Sequence, residues 1–401
     1  MARKTYEELS EIMKKEGVKR IFSWTKIDTF NTSPYEYYLK YIAKAKEDKT
    51  DCIYGNLGAA VHEILEKYYS GQIAFEEMQK EFEESWITSF DISDLKFDRN
   101  DEEKNQKIAN KYHQDLQHFF KFHKTITNQS LHLEEFAKTK IGNELFQGYI
   151  DACFKDEDGN YNIIDWKTSS KYQGTKALEK CGQLVIYAIS LLQQGIPIDK
   201  IRIGWNFIKY VTVLYSQKKT DENGKYLTKE RIIERYEIGD KLQSNVKMWL
   251  KHYHYSDTEI SQYLEQLLLT NNIDILPQEI KEKFKISDCY VFVPFTAELA
   301  QQWEELVANT IKQIDYCYEQ YKETGSDKAW WDTPEQVKEQ SYYFATLCNY
   351  SPNLHKPYAE YLENLAKEQE AKQNATNLLT TQTNVAISAD EEDMSWLNDI
   401  E

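Results

Sequence analysis

The 401-residue sequence predicts an α/β fold: a central mixed β-sheet flanked by helices, with helical insertions. Three observations predict it. Two short apolar runs, Gln147–Phe154 and Tyr161–Thr168, flank the turn-forming cluster Asp156-Glu157-Asp158-Gly159-Asn160 and read as a β-hairpin. Leu178–Leu192 carries a helical apolar face bounded by Gly195 and Pro197, and Ile201–Leu214 then alternates apolar and polar residues as one long strand or a strand pair. Amphipathic helical stretches precede the hairpin, over residues 72–125, and follow it, from Ala297 to about Tyr321.

From the N-terminus, residues 5–17 read as a short charged helix. Ser33 and Pro34 start another, as N-cap and first helical position. Its Tyr35, Tyr37, Tyr38, Lys40 and Tyr41 suit either core packing or a nucleic-acid backbone. In Gly58-Ala59-Ala60-Val61-His62-Glu63 the small residues let a helix start approach a neighbour closely. Ala60, Val61, Ile64, Leu65 and Tyr68 form its apolar stripe, and His62 and Glu66 share a different face. Leu131–Phe136 is strand-like and is followed by a turn at Ile141-Gly142-Asn143 and the hairpin. Beyond Lys218, a turn at Asp221-Glu222-Asn223-Gly224 opens a mainly helical insertion. Tyr290–Phe295 is a strand ending at Pro294, and Thr296 caps the helix from Ala297. The predicted organisation is an N-terminal helical region over 1–130 that contributes His62, a core over 131–215, the insertion over 216–288, a closing strand and helices over 289–370, and a linker with an acidic tail over 371–401. Around Trp396, Leu397 and Ile400 the tail suits either a peptide that docks on a protein partner or a solubilising end.

Hydrophobic residues at 41% and aromatics at 14% mark a globular chain. A formal charge of -17 opposes nucleic-acid binding by bulk electrostatics, so any phosphate-binding surface must be local. The polar loop 167–176, with Lys167, Thr168, Ser169, Lys171 and Lys176, supplies such local charge beside the hairpin. Cys52, Cys153, Cys181, Cys289, Cys317 and Cys348 are scattered, with no C-x-x-C pair and no secretory signal, so a reducing cytoplasm is expected. No apolar run reaches membrane-spanning length, and no membrane association is expected.

With the hairpin turn centred on Asp158, Asp151 stands opposite Asp165. Asp165 and Lys167 then share one face, and Trp166 points to the other. Like carboxylates on an apolar hairpin need neutralising, and a hard divalent cation held by their oxygens would do so. A surface hairpin with solvated acids is the plain alternative.

Taken together, Gly58–His62, Gly148-Tyr149-Ile150-Asp151, Ile164-Asp165-Trp166-Lys167-Thr168 and Gln183-Leu184-Val185-Ile186-Tyr187 resemble, in order and spacing, the motifs of the PD-(D/E)XK nuclease superfamily in its RecB-like branch. The resemblance covers residues 20–215 and, more weakly, 290–358. It implies a restriction-endonuclease-like core in which His62, Asp151, Asp165 and the Trp166 carbonyl hold Mg²⁺ or Mn²⁺. Lys167 would orient or help deprotonate the attacking water, and Gln183 and Tyr187 would position the DNA strand. Relatives that carry an iron-sulfur cluster use four cysteines, where the comparable positions here are Ser33, Ala345, Cys348 and Leu354 or His355. One thiolate cannot hold such a cluster, Cys52 has too few companions to substitute, and none is expected. The implied activity is that of a metal-dependent deoxyribonuclease, an exonuclease acting on DNA ends in recombination, repair or phage genome processing, in a bacterial or phage-infected cytoplasm. Rival readings are a catalytically inactive DNA-binding adaptor of the same fold, a CRISPR-adaptation-type nuclease and a helical interaction scaffold.

Overall fold

β-Branched and aromatic runs assemble into one seven-stranded mixed sheet in the computed structural model, which describes residues 3–49, 53–127, 130–172 and 174–392, the last eighteen by their backbone alone. The strands are β1 (Ile21–Phe22), β2 (His132–Ile141), β3 (Glu144–Lys155), β4 (Tyr161–Lys167), β5 (Ile201–Thr220), β6 (Tyr226–Glu234) and β7 (Phe284–Val293). β3 is antiparallel to β2 along most of its length. On its other side it pairs with β1, in parallel, at Leu145 and Phe146, and with β4, antiparallel, from Ala152 to Lys155. Residues 147–151 are left with a strand neighbour on the β2 side alone, so this side of the sheet forks. β5 is one long strand: it runs parallel to β4 from Ile201 to Phe207, then carries β6, with β7 antiparallel along its other edge.

The helices before the hairpin are α1 (Tyr6–Glu16), α2 (Trp24–Thr32), α3 (Pro34–Tyr37), α4 (Ile53–Tyr69), α5 (Phe75–Trp86) and α6 (Glu102–Phe122). After it come α7 (Thr175–Lys180), α8 (Gly182–Gln193), α9 (Ile238–His252), α10 (Asp257–Thr270), α11 (Gln278–Lys281), α12 (Ala297–Thr324), α13 (Pro334–Glu339) and α14 (Lys356–Glu392). Alternation along β4 sends Ile163 into a core with Leu184, Val185 and Ala188 of α8, and Ile164 into one with Val61, Leu65, Phe82 and Leu116 of α4–α6. The single helix expected over 178–192 is broken at Cys181. Gly182 opens α8 because a Cβ there would fall 2.2 Å from the Trp24 ring and 2.6 Å from that of Trp303. These two rings meet edge to face at 5.5 Å.

Contacts divide the chain into two units, residues 1–28 with 50–315 and residues 29–49 with 316–401. Within the first, the stretch 216–288 begins and ends as sheet, and between these ends α9 and α10 bury Leu242, Val246, Trp249, Ile260 and Leu267. Arg235, 1% exposed, donates to the Ile208 carbonyl and to Asp288, whose other oxygen lies 3.2 Å from His123 Nδ1.

In the second unit the tyrosine stripe is core. Tyr37 stacks on Trp330 at 5.7 Å, and the Tyr35 hydroxyl donates to Asp327 at 2.9 Å. Ser33 caps α3 through the Glu36 N–H, as predicted, and its hydroxyl also meets Asp332 (3.0 Å) and His355 Nε2 (3.1 Å) in full burial. Burial pushes Asp332 up to about 7, His355 down to about 4 and the Cys348 thiol up to about 12. The linker expected from residue 371 is instead helix as far as Glu392. Glu363 with Lys367 and Glu368 with Lys372 are spaced to support it, and neither Gly nor Pro interrupts the stretch. Cys52, Gln173 of the polar loop and the tail around Trp396 lie outside the described residues. The cysteines at 153, 181, 289, 317 and 348 are buried and free. Among the described residues no helix is long and apolar enough to cross a membrane.

Candidate active site

The β3–β4 hairpin pairs Ala152 with Ile164 and Lys155 with Tyr161, a register centred on Asp158 that carries Asp151 toward Asp165 as the sequence predicts. The Asp151 carboxylate accepts a 3.0 Å hydrogen bond from the Trp166 N–H. Asp151 sits at the fork, where β3 lacks its second strand neighbour, and there the sheet opens into a cleft of about 770 Å³.

His62 reaches this point from α4, whose Val61, Ile64 and Leu65 are buried. Its Nε2–H donates to the Trp166 carbonyl at 3.0 Å, and its Nδ1 lies 3.5 Å from Asp151 Oδ2. Burial disfavours the charged ring, yet the Asp151 carboxylate, followed by the charge of Asp165, outweighs it and raises the imidazole to about 9. Tyr69 of the same helix stacks on the Trp166 ring, 6.0 Å away and 8° from parallel, which fixes the strand that presents this carbonyl.

Asp165 is 4% exposed, and burial raises its carboxyl above the ordinary range. Burial acts downward on Lys167, but the opposite charge of Asp165 prevails and raises the ammonium's pKa. The Lys167 Nζ stands 2.7 Å from Asp165 Oδ2 as an ion pair, while that oxygen is buried without an aligned hydrogen-bond donor.

Sequence reasoning missed Glu134. His62, Glu134 and Asp151 each present a ligand atom, all within 4.8 Å of one another, and Asp165 is not part of that group. Of the expected ligands, His62 and Asp151 thus stand together with Glu134, while Asp165 is paired with Lys167. Glu134 lies in β2 with φ 47°, a left-handed backbone that costs a non-glycine residue about 1–2 kcal/mol. The ladder pairs Leu133 with Ala152 and Glu135 with Ile150, and skips the facing Glu134 and Asp151. Burial, then the charge of Asp151, raises the Glu134 carboxyl. Two adjacent acids, Glu134 and Glu135, in a strand-like run give no spacing signal, and only the cross-strand register brings Glu134 to the site.

These residues fit a hard divalent cation. The donors are imidazole and carboxylate, and the buried Gln147 Oε1 lacks a hydrogen-bond donor, an acceptor surplus of the kind a cation relieves.

Gln183, Tyr187, Thr168 and Ser169 line the cleft. Gln183 Nε2 donates to Tyr187 Oη at 3.1 Å, and burial pushes the Tyr187 phenol up to about 12. Gly148 is required by this packing, since a Cβ there would lie 2.5 Å from the Tyr187 ring. Lys171 and Lys176 do not line the cleft; the Lys176 ammonium lies 5.9 Å from the Tyr172 ring centre. Arg3 and Lys4, which belong to no motif that would place them here, do line it.

A family model described as the PD-(D/E)XK nuclease superfamily matches residues 21–329, a span that includes every residue from His62 to Tyr187 discussed above. A search of curated proteins found no match.

Proposed function

Because the chain belongs to the PD-(D/E)XK nuclease superfamily, we propose that it is a metal-dependent deoxyribonuclease of the RecB-like branch, acting as an exonuclease on DNA ends in recombination, repair or phage genome processing. The observation that carries this reading is the meeting of His62, Glu134 and Asp151 at the mouth of a forked sheet, next to the Asp165–Lys167 pair.

Mg²⁺ or Mn²⁺ would be held by His62, Glu134 and Asp151, with Asp165 and the Trp166 carbonyl within the same constellation. When bound, such an ion polarises a phosphoryl oxygen and lowers the pKa of water. Lys167, kept charged by Asp165, serves as an N–H donor that orients the attacking water, and its raised pKa disfavours a role as proton acceptor. The Gln183 amide and Tyr187 hydroxyl, fixed to each other, present a rigid polar wall that aligns the strand. Thr168 and Ser169 add hydroxyl donors for phosphate oxygens.

Incubation of the protein with blunt linear, covalently closed circular and single-stranded DNA, with Mg²⁺ or Mn²⁺ and then EDTA, tests the reading. Linear DNA should be degraded only with metal, closed circles should resist, and Asp165→Ala should abolish the loss. Circles cut as fast as linear DNA would remove the exonuclease assignment and leave the nuclease. Binding without any metal-dependent degradation would favour the inactive adaptor.

A further inference from the structure

The cleft is poorly matched to a polyanion in its present charge. Glu63, Glu66, Glu134 and Asp151 line it, and among its cations the Lys167 ammonium is paired with Asp165. A nucleic-acid strand entering it needs positive groups that are not already committed. Arg3, just ahead of α1, provides one, and Lys4, whose ammonium also meets Glu8, stands beside it.

Their placement is built rather than incidental. Thr5 closes a capping box on α1: its hydroxyl accepts from the Glu8 N–H, and the Glu8 carboxylate accepts from the Thr5 N–H at 2.7 Å. The Lys4 N–H donates to the Tyr149 hydroxyl at 2.6 Å, and the Lys4 ammonium lies 5.0 Å from the Phe136 ring centre and 3.4 Å from Glu8. The far end of α1 is tied to β2 by the Glu16–Lys138 ion pair. With its backbone held this way, Arg3 lays its guanidinium 5.8 Å from the Tyr149 ring centre, and its charge reaches the Glu134 carboxyl of the cleft.

Tyr149 precedes Asp151 by two residues on β3. Two residues of strand span about 7 Å, close to the separation of neighbouring phosphates along one nucleic-acid strand. A phosphate at Arg3 would therefore be next to a phosphate at the carboxylates. We propose that Arg3, assisted by Lys4, is a phosphate-binding subsite for the nucleotide adjoining the one that is cut, an inference that rests on the nuclease reading above. An aromatic-backed guanidinium suits this task, because the ring orients its N–H edge toward the strand without consuming a donor.

The test uses the full chain and a 5′-fluorescein single-stranded oligonucleotide, with binding read by anisotropy in EDTA across a salt series and cleavage read separately with Mg²⁺. Each phosphate contact to a single strand contributes about 0.7 to the slope of log K against log salt. Arg3→Ala should lower the slope by about that amount, weaken binding several-fold and raise KM at unchanged kcat, and Arg3→Lys should recover most of the slope. Lys80→Ala, an exposed charge on α5, controls for net charge and should change nothing. If the unaltered protein cuts DNA and Arg3→Ala keeps its slope, or if Lys80→Ala lowers the slope equally, the subsite is wrong and the nuclease stands. If Arg3→Ala lowers the slope but no metal supports cutting by the unaltered protein, the nuclease reading fails and the subsite remains. Absence of binding at low salt overturns both.

Discussion

One added methyl group at Gly148 tests whether Tyr187 is held by packing where strand alignment needs it. In Gly148→Ala the new Cβ would lie 2.5 Å from Tyr187 Cε1, 2.6 Å from its Oη and 2.9 Å from its Cζ. Carbon atoms in good contact sit at about 3.5–4.0 Å, so one partner must move. Tyr187 is 6% exposed and packed in the α8 core, which leaves the ring little room to move. Overpacking of this kind costs about 1–3 kcal/mol. A displaced ring also gives up the Gln183 hydrogen bond, a further ~1 kcal/mol. Urea unfolding should show a loss of about 2–4 kcal/mol at unchanged m-value, with kcat/KM on linear DNA reduced at least about tenfold, the equivalent of ~1.4 kcal/mol. In a Tyr187→Ala background the same methyl group should cost almost nothing, a coupling of about 2–4 kcal/mol. Stability of Gly148→Ala within about 0.5 kcal/mol of the unaltered protein, or simple additivity of the two substitutions, would refute the argument.

Metal affinity should depend on pH through His62. A cation displaces the proton of a ring whose pKa is raised to about 9, so Mn²⁺ affinity should climb about tenfold per pH unit and level off above that value. A pH-independent affinity between pH 6 and 8 by calorimetry would remove His62 from the ligand set. In the metal-free protein the same raised pKa contributes stability that is full below the ordinary value of 6.5 and is lost as pH rises through about 9, so Tm should fall over that window. Glu134→Gly removes a ligand and relieves a left-handed backbone; Mn²⁺ binding should weaken while metal-free Tm holds or rises, and a fall in Tm would make Glu134 a residue of the fold. Burial opposes the Asp288 carboxylate, but its bond to His123 and the charge of Arg235 hold it down at about 2. Arg235→Met should therefore cost about 3–5 kcal/mol in urea unfolding, and a loss below ~1 kcal/mol would show that the network contributes little.

What could be read from the sequence follows the range of the forces involved. The hairpin register was legible because a turn cluster and period-two alternation are local, and His62, Gln183 and Tyr187 were legible as helical positions in a recognisable order. The break at Gly182 was not, since it depends on two tryptophans, Trp24 far upstream and Trp303 far downstream in the chain. Glu134 escaped for a similar reason: its carboxylate is aimed by a left-handed backbone and by the β2–β3 register that sets it across from Asp151, neither of which leaves a mark in composition. Lys171 and Lys176 show the converse: close to Lys167 in sequence, they do not line the cleft.

The second unit draws residues 29–49 from near the start of the chain and everything else from residue 316 onward. On the ribosome, Tyr35 must wait for Asp327, made 292 residues later, an interval of about 15–60 s at ordinary elongation rates of 5–20 residues per second. For that time the aromatic strip bearing Tyr35 and Tyr37 travels without the tryptophans that will cover it. Its protection in the nascent chain has to come from outside the polypeptide, and the yield of intact protein should respond to the speed of translation and to the supply of holding chaperones.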